Sequence, residues 1–257
     1  MELGLGTWQN KGENCIKSVR QALNMGYNHI DTAQIYENES QVGKGIVESD
    51  RDRDDFFLAS KVWIDQLSEI DVINSTEESL EKLQTEYVDL MYIHWPAGEY
   101  SPEETFKGFN ELKEQGLIKN IGVSNFTVEQ MKEAQKHADI FANQVEMHPL
   151  LPQEELLQAC KEEGIELVAY SPLARGEVFN VEEIQEVAEK HGVSEAQVCL
   201  AWIREKGATP IPKASSEDHI RDNLDSLEVE LDDEDISKID SINREERKVD
   251  PDFGPWN

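Results

Sequence analysis

Basic residues are scarce in this chain. Lysine and arginine number 24 against 54 aspartates and glutamates, so 257 residues carry a formal net charge of −30. A surface of that sign makes nucleic acid and anionic membranes poor partners. Long apolar runs are missing too: nothing approaches the roughly 18 residues of a membrane-spanning helix. The opening MELGLGTWQN has no basic segment followed by an apolar one, so no secretory signal is expected. Cysteine is sparse. Cys15, Cys160 and Cys199 lie far apart with no CxxC spacing. That pattern fits reduced thiols in a cytoplasmic protein, packed as small apolar groups. His29, His137, His148 and His191 show no ligand spacing with carboxylates, and no metal is expected. No GxGxxG follows the first apolar run, which counts against a doubly wound dinucleotide-binding sheet.

The acidic surplus has two readings. In molar salt the Debye length shrinks to about 3 Å, self-repulsion is screened and carboxylates keep a chain soluble. The sharper expectation is therefore a protein of a salt-rich cytosol. The plainer one is an ordinary acidic protein, and the basic residues present are mostly lysine, so lysine is not avoided.

What is present is a rhythm. Short β-rich runs recur at LGLGT (3–7), YNHIDT (27–32), FFLAS (56–60), VDLMYIH (88–94), IKNIGVS (118–124), IFANQVE (140–146), IELVAYS (165–171) and ATPIP (208–212). Segments with helical spacing lie between them, as at Val72, Leu80 and Leu83 or at Leu156, Leu157 and Cys160. Helix starts are signalled at Ser75-Thr76-Glu77-Glu78, Ser101-Pro102-Glu103-Glu104 and Ser194-Glu195-Ala196-Gln197. Strand, loop and capped helix, repeated, predict parallel strands covered by helices. Eight such units favour a closed (β/α)8 TIM barrel, an α/β fold, over an open sheet. One domain is expected over residues 1–257, with a short tail over 243–257.

Reactive groups of such a barrel gather at the carboxyl ends of its strands. Asp31 ends the second run, Lys61 follows the third and His94 ends the fourth. Ser124 and Asn125 close the fifth, Gln144 and Glu146 the sixth, Tyr170 and Ser171 the seventh, and Lys213 follows the eighth. Singly, each has a plain reading: a solvated lysine, a packed histidine, a loop anchor at Tyr36. Their convergence on one mouth suggests chemistry. A phenol with a pKa of about 10 trades protons poorly at neutral pH, and a nearby ammonium lowers that value. Lowering it by about two units takes roughly 3 kcal/mol of differential interaction. Lys61 supplies this only if it stays charged when buried, and Asp31 is the carboxylate to keep it so. His94 is placed to direct a substrate oxygen. This set protonates an oxygen as it gains charge, which suits carbonyl reduction. No side chain delivers a hydride, so a nicotinamide cofactor is implied.

The segments GLGTW, DTAQIYENE, ASKVW, DLMYIHWP, GVSNF, NQVEMHP, AYSPLARG and IPKAS resemble, in order from residue 4 to about residue 224, the successive signatures of the aldo-keto reductase family. The resemblance implies a (β/α)8 barrel, NAD(P)H-dependent reduction of aldehydes, ketones or sugars, and a tetrad of Asp31, Tyr36, Lys61 and His94 with the tyrosine as general acid. It also implies cofactor contacts. Gly6 and Thr7 belong to the first strand end. Ser124, Asn125 and Gln144 fall on the nicotinamide carboxamide, Tyr170 on its ring, and Ser171 and Leu173 on the pyrophosphate. Ile211, Lys213, Ser215, His219, Asp222 and Asn223 fall towards the adenosine. Ala214 and His219 stand where NADPH-type members often carry serine and arginine. Arg221 is close in sequence but faces elsewhere on a helix. NADPH held through Lys213 is expected, with NADH as the alternative. KASSEDHI reads either as a phosphate-attracting helix start or as an ordinary N-cap. The family's usual start is shortened here, so a hairpin plug at the barrel's far end is expected to be missing.

Trp8, Trp63 and Trp95 each follow a strand-end motif. They are expected to wall an apolar substrate pocket, the plain alternative being loop packing. Short loops after His94 and Ser171 predict an open pocket with broad aldehyde acceptance. The leading expectation is a monomeric cytoplasmic reductase of small carbonyl compounds. Two alternatives stand beside it: a cofactor-binding regulatory module with slow turnover, and a cofactor-free hydrolase using Asp31 and Glu146 as a carboxylate pair.

Overall fold

The computed structural model describes residues 2–256. Its eight strands are β1 (Leu5–Gly6), β2 (His29–Asp31), β3 (Phe57–Val62), β4 (Val88–Ile93), β5 (Ile118–Ser124), β6 (Ile140–Glu146), β7 (Glu166–Tyr170) and β8 (Ala208–Pro210). Each pairs in parallel with the next in chain order. The ring closes where the Gly4 and Gly6 N–H groups donate to the Pro210 and Pro212 carbonyls at 2.9 and 3.0 Å. Gly6 has a steric reason to be glycine: a Cβ there would stand 2.8 Å from the Ile211 carbonyl oxygen and force β1 off β8. The expected (β/α)8 barrel is the observed architecture, and all eight apolar runs coincide with strands.

The helices are α1 (Gly12–Met25), α2 (Glu39–Val47), α3 (Glu69–Leu83), α4 (Pro102–Glu114), α5 (Val128–Ala134), α6 (Glu154–Glu163), α7 (Glu182–His191), α8 (Glu195–Glu205), α9 (Glu217–Asp225) and α10 (Asp233–Asp240). The β7–β8 connection carries both α7 and α8, and α9 and α10 follow β8. Strand alternation divides the core. Leu58 and Val62 of β3 face the helix layer, whereas Ala59 joins Leu90, Tyr92, Ala142, Val168 and Ile211 inside the barrel. Truncating one of the outward leucines, such as Leu58, to alanine costs about 2–5 kcal/mol. At the strands' amino ends Phe57 and Phe141 stack at 5.9 Å, with His29 edge-on to Phe57. Among the described residues no strand precedes β1.

One helix start differs from expectation. The Ser75-Thr76-Glu77-Glu78 stretch lies inside α3, which begins at Glu69 under Ser68, whose Oγ accepts the Asp71 N–H at 3.3 Å. The physical reason is the apolar stripe. Val72 belongs to the same buried face as Leu80 and Leu83, so the helix must start early enough to present it. Ser101 and Ser194 do stand at N-caps, with Pro102 opening α4. Gln197 completes no reciprocal box, because its amide donates to Asp222 instead. All three cysteines are buried thiols, and burial pushes Cys15 and Cys160 up to about 12, which leaves them unreactive. Among the described residues no helix is long and apolar enough to cross a membrane.

Candidate active site

The carboxyl ends of the strands surround a cavity of about 290 Å³. Asp31, the last residue of β2, lines its floor, and Lys61, near the end of β3, meets it from beneath. Lys61 Nζ donates to Asp31 Oδ1 at 2.5 Å and to the Thr32 carbonyl at 2.8 Å. It lies 3.4 Å from the Tyr36 hydroxyl. The second Asp31 oxygen accepts from Gln144 Nε2 at 2.8 Å. His94 follows β4, with its ring 5.8 Å from Tyr36 and 5.1 Å from Trp63, edge to face. Of the four residues expected to form a tetrad, Asp31, Tyr36 and His94 line the cavity, and Lys61 is buried behind it against the first two.

Tyr36 is held by its turn. Residues Gln34–Tyr36 form a single 3₁₀ turn after β2. Gln34 Oε1 accepts the Trp63 N–H, and its Nε2 donates to the Ser75 carbonyl and to Ser79 Oγ, all at 3.1 Å. Asn38, just beyond, donates to the Thr7 and Asn10 carbonyls. The phenol is thus presented by a turn anchored on three sides.

Burial governs the charges. It pulls the Lys61 ammonium below its ordinary value, while Asp31 opposes that fall by charge and by hydrogen bond. Burial and the neighbouring Lys61 hold His94 well below the ordinary imidazole value, so its ring is neutral. Tyr36 departs from expectation: it is raised well above the ordinary phenol value, by burial first and by the Asp31 charge second. The reason is pairing. Asp31 already cancels Lys61, so little net positive field remains to offset the desolvation of a phenolate. The resting site holds a protonated phenol.

The expected cofactor residues divide into two groups. Around the tetrad, Thr7 donates to the Asp31 carbonyl and Ser124 to the Gln144 carbonyl, both at 2.9 Å. Asn125 donates to the His94 carbonyl and accepts from the Tyr170 hydroxyl at 2.8 Å. Asn125 and Ser171 take left-handed backbones with φ of 63° and 48°. Such conformations cost of order 1–3 kcal/mol each and gather at functional sites. Gly6 and Ile211 also line the cavity, whereas Leu173 packs against the core. Towards α9 the side chains loosen. Lys213 is exposed and donates to Ser215 Oγ at 3.2 Å, and His219 is exposed. Asp222 accepts from Ser194 and Gln197, so its carboxylate ties α9 to α8. Asn223 is buried beside it.

Sequence reasoning missed Arg175. Its guanidinium lies 5.0 Å over the Trp8 ring and lines the cavity together with Lys213. An arginine in a strand-end loop of so acidic a chain was the available signal. The missed Ile35 and Val249 also line the cavity, and Val249 had no local signal at all.

Trp8 stands 40% exposed at the rim, and Trp95 is buried. The tail completes this wall. Phe253 meets Trp63 and Trp95 at 6.2 and 5.4 Å, and Trp256 meets Trp95 at 5.5 Å. Glu146 anchors the tail: its two oxygens accept the Lys248 and Val249 N–H groups at 2.7 and 2.9 Å, with His148 Nε2 at 3.0 Å. Glu146 thus serves the tail and does not oppose Asp31 across the cavity, so the carboxylate pair of a hydrolase is not assembled. A larger groove of about 600 Å³ between the start of α6 and the tail lacks any comparable cluster. Among the described residues no group of three or more His, Cys, Asp or Glu could hold a metal.

The cavity suits NADPH. Lys213 and Arg175 give it a cationic side in a chain of net charge −30, while Asn125, Gln144 and Tyr170 give it a neutral amide and aromatic side. A dinucleotide with an anionic portion and a flat carboxamide ring has that polarity.

Comparison with known proteins agrees. The Aldo/keto reductase family pattern matches residues 2–244. The chain is 43% identical over 247 residues to a glyoxal reductase of Bacillus subtilis (strain 168), covering 95% of this chain and 89% of that protein. It is 40% identical over 253 residues to methylglyoxal reductase DkgB of Escherichia coli O157:H7, covering 96% and 95%. A Bombyx mori aldo-keto reductase in complex with NADP has the same fold, with a TM-score of 0.89 at 30% identity over 97% of this chain and 91% of that one. With sequence and fold agreeing almost end to end, the chain belongs to the aldo/keto reductase family and is an NAD(P)H-dependent oxidoreductase acting on aldehydes and ketones.

Proposed function

We propose that the chain reduces small reactive aldehydes, with α-dicarbonyls of the glyoxal and methylglyoxal kind as its best substrates. The names of its similar relatives support this choice, as does a compact cavity lined by Trp63 and Trp95, against which Phe253 packs. The observation that carries the chemistry is the 3.4 Å approach of the Tyr36 hydroxyl to Lys61 Nζ beside His94. When bound, the cofactor supplies the hydride. Neutral His94 donates a hydrogen bond to the carbonyl oxygen and fixes its direction. Tyr36 gives its proton to that oxygen as negative charge develops. An alkoxide is more basic than a phenolate, so a phenol of high pKa is loaded at neutral pH and still transfers downhill. The Lys61 ammonium steadies the phenolate left behind, and Asp31 keeps that ammonium charged. Asn125, Gln144 and Tyr170 hold the carboxamide side of the cofactor, and Lys213, Ser215 and Arg175 its phosphates.

Loss of nicotinamide absorbance with methylglyoxal tests the reading, set against a panel of larger aldehydes, ketones and sugars with each cofactor. Turnover confined to the larger compounds would overturn the substrate assignment. Further parts of the reading are a monomer, a cytoplasmic location, a tail over 243–257 belonging to the single barrel domain, and adaptation to a salt-rich cytosol. The net charge of −30 supports the last of these. Size-exclusion chromatography in molar KCl tests the monomer, and activity across a KCl series tests the salt requirement.

A further inference from the structure

Glu39 is a buried carboxylate that the tetrad does not use. It opens α2 and is 2% exposed. Ser60, the neighbour of Lys61 in β3, points away from the cavity and donates to Glu39 Oε1 at 2.6 Å. Ser79 of α3 lies 3.2 Å from Glu39 Oε2. Ser79 in turn accepts from Gln34, the first residue of the turn that presents Tyr36. Gln34 also takes the Trp63 N–H, two residues beyond Lys61. A closed loop of hydrogen bonds therefore runs behind β3 from the strand of the ammonium to the turn of the phenol, with Glu39 at its centre.

We propose that Glu39 is a positioning residue that locks the Lys61 strand and the Tyr36 turn into one frame and adds an outer negative charge behind the ammonium. This rests on the roles given above to Tyr36 and Lys61. A carboxylate is suited to the place for two reasons. Two hydroxyls approach it, and the amino end of α2 favours negative charge. Burial acts against the charge and raises the Glu39 pKa, which the two serines oppose. Around Lys61 stand Asp31 and His29 of β2, Tyr36 of the turn, Tyr92 of β4, His94 just after it and Glu39 of α2. Around Glu39 stand Ser60, Ser79, Lys82 and Glu78. Asp31 and Glu39 are the two carboxylates whose charge acts to keep the ammonium protonated, beside the hydrogen bond Lys61 donates to the Thr32 carbonyl.

The two parts of the role separate by mutation. Glu39→Gln keeps the size and removes the charge. It is expected to lower kcat about tenfold or more and to leave the Kd for NADPH within about twofold. It also moves the alkaline limb of the kcat profile to lower pH, because an ammonium with one fewer carboxylate loses its proton earlier. Ser79→Ala leaves the carboxylate and cuts the link to Gln34, so kcat falls without movement of that limb. A Glu39→Gln enzyme with unchanged kcat and an unchanged limb overturns the proposal, as does a fall in kcat whose limb stays in place. If Glu39→Gln does not fold, Ser60→Ala and Ser79→Ala decide, and unchanged kcat in both overturns it. Tyr36→Phe is the control. Activity retained there breaks the underlying reading, whereas an inactive Tyr36→Phe beside an unaltered Glu39→Gln breaks this inference alone.

Discussion

The two sides of the mouth cavity are built on opposite plans. On the β2–β4 side, Lys61 and Asp31 are 1% and 2% exposed and each has several partners. On the β8–α9 side, Lys213 is exposed with a hydroxyl for company. The first plan is costly, because each buried ion loses several kcal/mol of hydration, recovered only by good geometry. It yields groups that need not move when charge shifts. The second plan is cheap, since exposed charges contribute at most about 1 kcal/mol to the fold. It leaves a cation free to meet a phosphate. The tetrad is preorganised, and under the proposed cofactor assignment the grip on the far end would form on binding.

Several measurements would break or sharpen that contrast. The largest effect is expected for Tyr36→Phe: kcat falls by about a thousandfold, within the range for a lost general acid. NADPH quenching of tryptophan fluorescence stays unchanged, and turnover near wild type would dissolve the assignment. Lys61→Met comes next, with a loss of about a hundredfold in kcat and a fall in stability to urea of roughly 3 kcal/mol, since Asp31 is left buried without its cation. On the open side, Lys213→Ala is expected to weaken NADPH about tenfold at low salt, to affect NADH less, and to leave kcat at saturation within about twofold, the gap closing in molar KCl. An equal penalty on kcat would erase the distinction between the two sides.

The smallest effect is a missing one. His94 is held neutral by burial and by Lys61, so kcat/KM for reduction has no histidine inflection between about pH 5 and 8. The same burial has a consequence for stability. His29, inside the barrel, is lowered from 6.5 to about 4. A depressed folded value means the unfolded chain takes up the proton first. Stability is therefore full above 6.5 and declines as pH falls from 6.5 towards 4. Urea midpoints across that interval check it, and a His29→Leu variant should lose much of the decline.

Much of this molecule was legible beforehand. The eight runs fell on strands because a parallel strand buried on both faces must be apolar and short. The polar residues that interrupt their ends, Asp31, Lys61 and His94, were legible as a ring once the barrel was inferred. The Ser75 cap misled because the same short pattern occurs inside an amphipathic helix, and only packing of Val72 fixed the true start. The lowered phenol pKa misled because a sequence places charges in order without saying which already cancel. Arg175, Val249 and Glu39 were missed for a common reason: their partners lie far away in sequence.

By itself the sequence determined the barrel, the order of its strands and the identities of the groups at its mouth. Periodicity and local chemistry act over a few residues and can be read there. The tertiary structure alone decided which charges neutralise one another, which carboxylate anchors the tail and which phenol keeps its proton. Those outcomes depend on distance and desolvation, and both are set only when residues remote in the chain are brought within hydrogen-bonding reach.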